Sequence, residues 1–370
     1  MKFQAERDAL VEALALVGRA APQRASGAAV TNATHMEVRG HSLTLVGTDL
    51  ALTLRVALDV VGVQDGACVA PARLATEIIR AMEPGAITVT GCDTEIEIAG
   101  GQSRFVMPTF SPTDFPQIPE DEAPSVAIPA DALTEAIHQV ARAASTDDAR
   151  PLLCGVLLSK EETGWRLAAT DSYRLAWRDV PGLEMPLDAE SVIVPARALS
   201  ELERLCTAAG KGASATVGVS VAPLQATFAV GGVRLSTRLL DGNFPDYRRL
   251  VPSEYATVAR VGKSPLIDAL RRMKLLVKDH TTPVLLAVAP TAIDLSVVSQ
   301  AVGRASEAVE ATAEGPEIQI AFNPAYLIDG LDAVAGDEAA ISFTDATHPA
   351  LISSPTSGAY CGLLMPVRVD

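Results

Sequence analysis

The sequence predicts an α+β chain of three similar domains, each with two helices packed on antiparallel sheets. Three observations carry this expectation. A strand-to-helix signature centred on proline occurs three times, a helical signature precedes each copy, and the pairs Thr-Asp and Phe-Pro recur in step with them.

The helical signature comes first. Asp8-Ala9-Leu10-Val11-Glu12-Ala13-Leu14 recurs as Asp131-Ala132-Leu133-Thr134-Glu135-Ala136-Ile137 and, in a third copy, as Ser264-Pro265-Leu266-Ile267-Asp268-Ala269-Leu270. Apolar residues fall at helical steps in each: Leu10, Leu14, Val17; Leu133, Ile137, Val140; Leu266, Leu270, Met273. Alternating segments such as Ser42–Val46 and Ala86–Thr90 predict strands around these helices. Next, Val69-Ala70-Pro71-Ala72-Arg73-Leu74 recurs as Ile193-Val194-Pro195-Ala196-Arg197-Ala198 and, more weakly, as Ala321-Phe322-Asn323-Pro324-Ala325-Tyr326. Each proline follows a short apolar strand and is expected at the first helical position, where its missing N–H costs nothing. The prolines stand roughly 125 residues apart, far beyond a solenoid period, so the repeated unit is a whole domain. Thr48-Asp49 recurs as Thr170-Asp171, which favours a structural turn at a strand end, and Phe115-Pro116 recurs as Phe244-Pro245. An acidic, proline-rich stretch at Pro119–Pro124 and the Pro252-Ser253-Glu254 segment set expected domains of 1–120, 121–253 and 254–370.

Composition bounds the function. Of 370 residues, 48% are hydrophobic and 20% charged, enough for several packed cores, and aromatics at 4% leave those cores aliphatic. Lys and Arg number 30 against 45 Asp and Glu, a formal net charge of −15, which disfavours whole-surface nucleic-acid binding and leaves room for a local basic stripe. No apolar run reaches the roughly 18 residues of a membrane helix, and the mixed-charge start lacks the pattern of a signal peptide. Five scattered cysteines, Cys68, Cys92, Cys154, Cys206 and Cys361, without a Cys-x-x-Cys pair, fit a reducing cytoplasm and read as buried small hydrophobes.

Catalytic constellations are missing from the sequence. The five histidines lack metal-ligand spacing, Gly210-Lys211 is followed by Gly212 where a phosphate loop needs a hydroxyl, and no nucleophile elbow occurs. Neither a metal nor another cofactor is expected. Charge placement remains: Arg7, Arg19, Arg24, Arg73, Arg80, Arg142, Arg150, Arg197, Arg204, Arg271, Arg272, Lys274 and Lys278 lie on or beside the expected helices, whereas strands and linkers are acid-rich. One basic face and ordinary solvated helix faces both account for this. The helix expected from Pro324 to Val334 carries no Lys or Arg and breaks the pattern.

Ala169-Thr170-Asp171-Ser172-Tyr173-Arg174-Leu175-Ala176 closely resembles the Ala-Thr-Asp-x-x-Arg-Leu-Ala segment of the bacterial DNA polymerase III beta subunits, the sliding clamps. Phe244-Pro245-Asp246-Tyr247-Arg248-Arg249-Leu250-Val251-Pro252 is similar to that family's junction of second and third domains. The final Leu364-Met365-Pro366-Val367-Arg368-Val369 is similar to its terminal Met-Pro-x-Arg strand. The resemblance implies a DNA clamp fold, a head-to-tail ring of two copies, and a processivity factor without a catalytic site. Such a ring encircles duplex DNA without reading its sequence and tethers the polymerase. Implied partners are double-stranded DNA, a second copy of the chain, the DNA polymerase III alpha subunit, the clamp loader, and other polymerases and repair proteins carrying clamp-binding peptides. No membrane is among them.

Residue by residue, the resemblance implies DNA contacts at Arg24, Arg73, Arg150 and Arg197. The tyrosine pair of some members is replaced here by Pro151-Leu152, which removes stacking surface. It implies a partner-peptide pocket of Leu153, Thr170, Ser172, Tyr173, Arg174, Leu175, Pro245, Arg249, Leu250, Pro349, Leu363, Met365, Pro366 and Val367. A preformed groove of this kind suits a short extended peptide. The subunit contact it implies pairs Phe105 and Met107 of one copy with Leu275 and Leu276 of the other. Two readings stand beside it: a specialised second copy of the clamp that protects against clamp-directed compounds, and an acidic, non-catalytic three-domain binding protein. A metabolic enzyme is disfavoured by the missing catalytic residues.

Overall fold

The computed structural model describes residues 1–21, 32–92, 94–118, 126–182, 190–210, 215–277, 282–299 and 302–368. Three modules follow one plan of strand, helix, several strands, helix and several strands. The first runs β1 (Lys2–Glu6), α1 (Arg7–Val17), β2 (Ala33–Arg39), β3 (Ser42–Thr48), β4 (Leu52–Asp59), β5 (Val61–Gln64), β6 (Gly66–Pro71), α2 (Ala72–Ala81), β7 (Ala86–Gly91), β8 (Glu95–Gly100) and β9 (Ser103–Pro108). The second runs β10 (Val126–Pro129), α3 (Ala130–Val140), β11 (Gly155–Glu161), β12 (Gly164–Thr170), β13 (Arg174–Pro181), β14 (Ser191–Pro195), α4 (Ala196–Ala208), β15 (Thr216–Ala222), β16 (Gln225–Val230) and β17 (Val233–Arg238). The third runs β18 (Thr257–Gly262), α5 (Lys263–Lys274), β19 (Val284–Ala289), β20 (Ala292–Ser299), β21 (Gly303–Glu314), β22 (Ile318–Phe322), α6 (Pro324–Asp332), β23 (Glu338–Phe343), β24 (Ala350–Ser353) and β25 (Tyr360–Leu364).

The helical stripes read from the sequence are the buried ones. Leu10, Leu14 and Val17 of α1, Leu133, Ile137 and Val140 of α3, and Leu266, Leu270 and Met273 of α5 are all within the core. Burying each such side chain is worth about 1.5–3 kcal/mol, which offsets the modest intrinsic stability of helices this short. The end of α1 approaches β3 closely: a Cβ on Gly47 would lie 2.1 Å from the Val17 carbonyl oxygen, so only glycine fits there.

By contact, the described residues gather into two compact units, Met1–Pro129 with Arg204–Leu239, and Ala130–Glu203 with Leu240–Asp370. The cause is strand pairing across module boundaries. In the first unit β17 pairs antiparallel with β4, giving an eight-stranded sheet ordered β10-β15-β16-β17-β4-β3-β2-β6, and a five-stranded sheet β5-β1-β7-β8-β9 stands beside it. In the second unit β13 pairs antiparallel with β25, giving a twelve-stranded sheet β14-β11-β12-β13-β25-β24-β23-β18-β21-β20-β19-β22.

Two expectations need correction. Pro71 and Pro195 are the last residues of β6 and β14, and only Pro324 opens a helix at its first position. β6 and β14 each lie at a sheet edge, where a strand-ending proline forfeits no needed donor. The cysteines are not uniformly buried: Cys68 and Cys206 are, Cys154 and Cys361 are partly so, and Cys92 is exposed.

Candidate peptide-binding site and basic helix groove

The Thr-Asp repeat is a turn that ties itself. After β12, the Thr170 hydroxyl donates to the Arg174 carbonyl at 2.7 Å and accepts from the Ser172 amide at 3.2 Å. The Asp171 carboxylate accepts from the Tyr173 and Arg174 amides, each at 2.9 Å. These bonds hold Ser172 at a φ of +80°, rare for a residue with a side chain. The turn after β3 has the same bonds through Thr48 and Asp49, and Leu50 takes a φ of +75°. Asp171 is therefore a structural residue, as the repetition predicts.

The two turns differ in what they hold out. Tyr173 is 60% exposed, and its ring stacks at 6.5 Å and 25° on Tyr326 of α6. The Arg174 guanidinium lies 4.4 Å from the Tyr326 ring centre and donates to both Asp171 and Asp329. Arg174 is thus fixed by two carboxylates and a ring face while it remains at the mouth of a small cavity of about 290 Å³. Arg142, Tyr326, Asp329, Tyr360 and Gly362 also line it. A Cβ at Gly362 would lie 2.7 Å from the Tyr360 hydroxyl, so glycine there makes room for the ring. Burial pushes the Tyr326 and Tyr360 phenols above the usual range, which keeps both as neutral hydrogen-bonding groups.

The end of the chain completes this site. β25 pairs with β13 and β24, and beyond it the Met365 amide donates to the Tyr173 carbonyl at 3.0 Å and the Val367 amide to Ala321 at 2.8 Å. Met365 is 43% exposed beside the Tyr173 turn, with Pro366 and Val367 half-buried and Pro349 just ahead of β24. Strand alternation sends Leu175 and Leu363 to the other face, where they are buried with Trp177 and Tyr247 and covered by Phe244. Leu175 and Leu363 are thus buried and also line the cavity beside Arg174, while Thr170 is held within the turn. Beyond them Pro245 and Leu250 are exposed, Leu153 is half-buried, and Arg249 reaches solvent paired with Asp246 at 2.7 Å.

Tyr326 and Asp329 went unread in the sequence. With Asp332, which accepts from Arg142 at 2.8 Å, they occupy one side of α6 at steps of three residues. That i, i+3 spacing of Tyr, Asp and Asp was the available signal, and it explains why α6 is acidic: it receives the arginines of the preceding module.

The expected DNA contacts are dispersed. Arg24 lies outside the described residues. Arg73, in the first turn of α2, is exposed and paired with Glu77 at 2.8 Å. It shares with Arg19 and Arg80 an open groove of about 1350 Å³ along α1 and α2. Arg197 is exposed near the start of α4. Arg150 is held by Asp147 and Ser172, and so flanks the Tyr173 turn. Of the expected subunit contacts, Leu275 is 80% exposed after α5 and Leu276 half-buried. Phe105 is 41% exposed on β9 and Met107 is only 4% exposed, while Val106, which was not singled out, is 52% exposed. Met107 faces the buried Ile96, so its side chain belongs to the core of its own sheet.

Comparison with known proteins agrees with this architecture. The chain is 32% identical to the beta sliding clamp of Streptomyces coelicolor and 32% identical to that of Caulobacter vibrioides, with all of this chain and all of each relative covered. The solved DNA polymerase sliding clamp of Bacillus subtilis, 29% identical, superposes with a TM-score of 0.92 over the full length of both chains. Family models for the N-terminal, central and C-terminal domains of the DNA polymerase III beta subunit match residues 1–119, 127–246 and 248–368 in turn. The chain belongs to the DNA polymerase III beta subunit family, the sliding clamps.

Proposed function

We propose that this chain is a processivity factor of DNA replication in the cytoplasm, without catalysis of its own. Two copies close head to tail around duplex DNA and carry polymerase and other partners by their clamp-binding peptides. The observation that carries the reading is the fixed, open cluster of Tyr173, Arg174, Tyr326 and Met365 at the join of β13 and β25. It offers an apolar surface with one oriented cation and no reactive group, which suits holding a peptide and not transforming it.

Two open strand edges support the closure. β9 ends the five-stranded sheet with Phe105 and Val106 exposed. β21 pairs with β20 along its first part but with β18 only over Ala311–Glu314, so among the described residues Arg304–Glu310 has a strand on one side only. Unpaired edges of this length invite addition of a strand from another copy, and the exposed Leu275 supplies an apolar anchor. The groove of Arg19, Arg73 and Arg80 meets phosphates without reading bases. The test is retention on DNA: loaded on a nicked circle, the protein should stay until the circle is cut. Loss from intact circles as fast as from linear DNA would refute enclosure.

A further inference from the structure

The Tyr173 site is held from behind by a run of polar side chains that starts on an exposed helix face. His138, exposed on α3, stands between two partners. Its Nδ1 lies 2.7 Å from a Glu203 carboxylate oxygen on α4, and its Nε2 lies 2.6 Å from Nη2 of Arg142. A guanidinium only donates, so Nε2 accepts from Arg142 and the ring hydrogen sits on Nδ1, donated to Glu203. His138 is a neutral acceptor in this arrangement. Arg142 also donates to the Asp332 carboxylate at 2.8 Å, the Asp329 carbonyl at 3.3 Å and the His138 carbonyl at 2.9 Å.

These bonds bear on where α6 sits. α6 has no basic residue in its last turn, and carbonyls at and just past its end are met from other elements. Asp329 accepts from Arg142, Ala333 from the buried Gln139 of α3 at 2.7 Å, and Val334 from Lys263 of α5 at 2.9 Å. The same helix carries the groups that orient the peptide site. The Asp329 carboxylate accepts from Arg174, and Tyr326 lies against both the Arg174 guanidinium and the Tyr173 ring. Facing His138 are Glu203 from α4, Arg142 from the turn after α3, and Asp332 from α6, whose carboxyl is also near Lys263 of α5. Arg178 of β13 pairs with Glu135, one turn back on α3, at 3.5 Å.

We infer that Arg142 is a positioning residue of the peptide site and that a proton on His138 loosens its hold. The inference rests on reading the Tyr173 site as peptide-binding. A proton on Nε2 turns the acceptor into a donor and sets a second cation against the Arg142 guanidinium. Glu203 bonds the ring in either state, so Arg142 and not the ring gives way, and its bond to the Asp329 carbonyl goes with it. α6 then loses one of its fixings, and Asp329 and Tyr326 no longer hold Arg174 and Tyr173 in a single arrangement. The binding-competent arrangement needs the ring neutral. Imidazoles gain their charge between about pH 8 and 5, so peptide affinity is full above that range and declines as the pH falls through it.

The test titrates a polymerase-derived clamp peptide without histidine into the intact protein by calorimetry, at about pH 7.5 and about pH 5.5. The parent should lose about fivefold in affinity between the two. His138→Gln offers Arg142 a neutral acceptor that takes up no proton, so it should match the parent at the higher pH and keep that affinity at the lower. Arg142→Met should bind about fivefold more weakly than the parent at the higher pH and change little on acidification, with its folding checked by melting temperature. Tyr173→Ala is the control for the site itself: unaltered binding there refutes the peptide reading and the inference with it. If Tyr173→Ala weakens binding while His138→Gln keeps the parent's pH dependence, the peptide reading stands and the inference falls. The dependence then belongs to another group, such as His348 beside Pro349. A parent affinity that does not change with pH, or a folded Arg142→Met that binds like the parent, overturns the inference as well.

Discussion

Replacing Tyr173 by alanine isolates the proposed peptide site, because the side chain contributes little to the fold and much to the surface on offer. With 60% of the residue exposed, the part already covered is chiefly the stack on Tyr326, worth about 0.5–1.5 kcal/mol, and the backbone bonds of the turn come from Thr170 and Asp171. The melting temperature should therefore fall by only a few degrees, on the order of 2–4 °C. Binding is another matter. An aromatic side chain buries about 150–250 Å², so roughly 100 Å² or more is left for a ligand to cover, equivalent to about 2–3 kcal/mol at about 25 cal/mol per Å². Ordering costs in the complex bring this to about 2 kcal/mol, or about thirtyfold in Kd. Titration calorimetry with a polymerase-derived clamp peptide reads the affinity, and sedimentation confirms that the variant is still a dimer. A dimeric variant binding within about threefold of the parent would refute the placement of the peptide on this turn.

Three further outcomes follow from the same structure. Leu275→Lys with Leu276→Lys should release folded monomers in sedimentation, since charge buried at a subunit contact costs several kcal/mol; an unchanged dimer would move the contact elsewhere. The Arg142 guanidinium holds the Asp332 carboxyl below the usual carboxylate range, so its contribution is present above about pH 4 and lost as the pH falls through the lowered value. Asp332→Asn should thus lower the melting temperature at pH 7 and narrow the gap from the parent below about pH 4, and a constant gap would contradict the pairing. Backbone donation from Thr94, with further bonds to the Thr94 side chain and the Glu95 backbone, lowers the thiol pKa of exposed Cys92, whereas burial pushes Cys68 up to about 12. Iodoacetamide should accordingly label Cys92 first and Cys68 last by peptide mass mapping, and the reverse order would show that the first-module packing is wrong.

How much of this could be read beforehand depends on range along the chain. The prolines, the Asp-Ala-Leu helices and the Thr-Asp turns are local signals: each residue answers to its neighbours, so the module plan and the buried helix faces were legible. The partners of Arg174 were not. Asp329 is 155 positions away, and the two meet only because β13 and β25 pair, which no local period announces. Leu175 and Leu363 illustrate a second limit, since a core leucine and one lining a pocket look the same in a sequence, and here both are packed with Trp177 and Tyr247 and line the cavity as well. At β9, the face of the strand rather than residue type decides that Val106 is open and Met107 covered.

The Thr-Asp turn has a consequence for how such a chain diversifies after duplication. Its framework hydrogen bonds use the threonine hydroxyl, the aspartate carboxylate and the main chain, and none uses the two exposed side chains that follow the aspartate, Ser172 and Tyr173 in one copy, Leu50 and Ala51 in the other. Mutation at those positions leaves the scaffold unburdened, so the tip is evolvable while its base stays constrained. One copy can then retain a blunt Leu50-Ala51 tip while its sibling acquires Ser172-Tyr173. Recognition is in this sense a detachable trait, and lineages can exchange one set of clients for another by drift at two codons without passing through an unfolded ancestor.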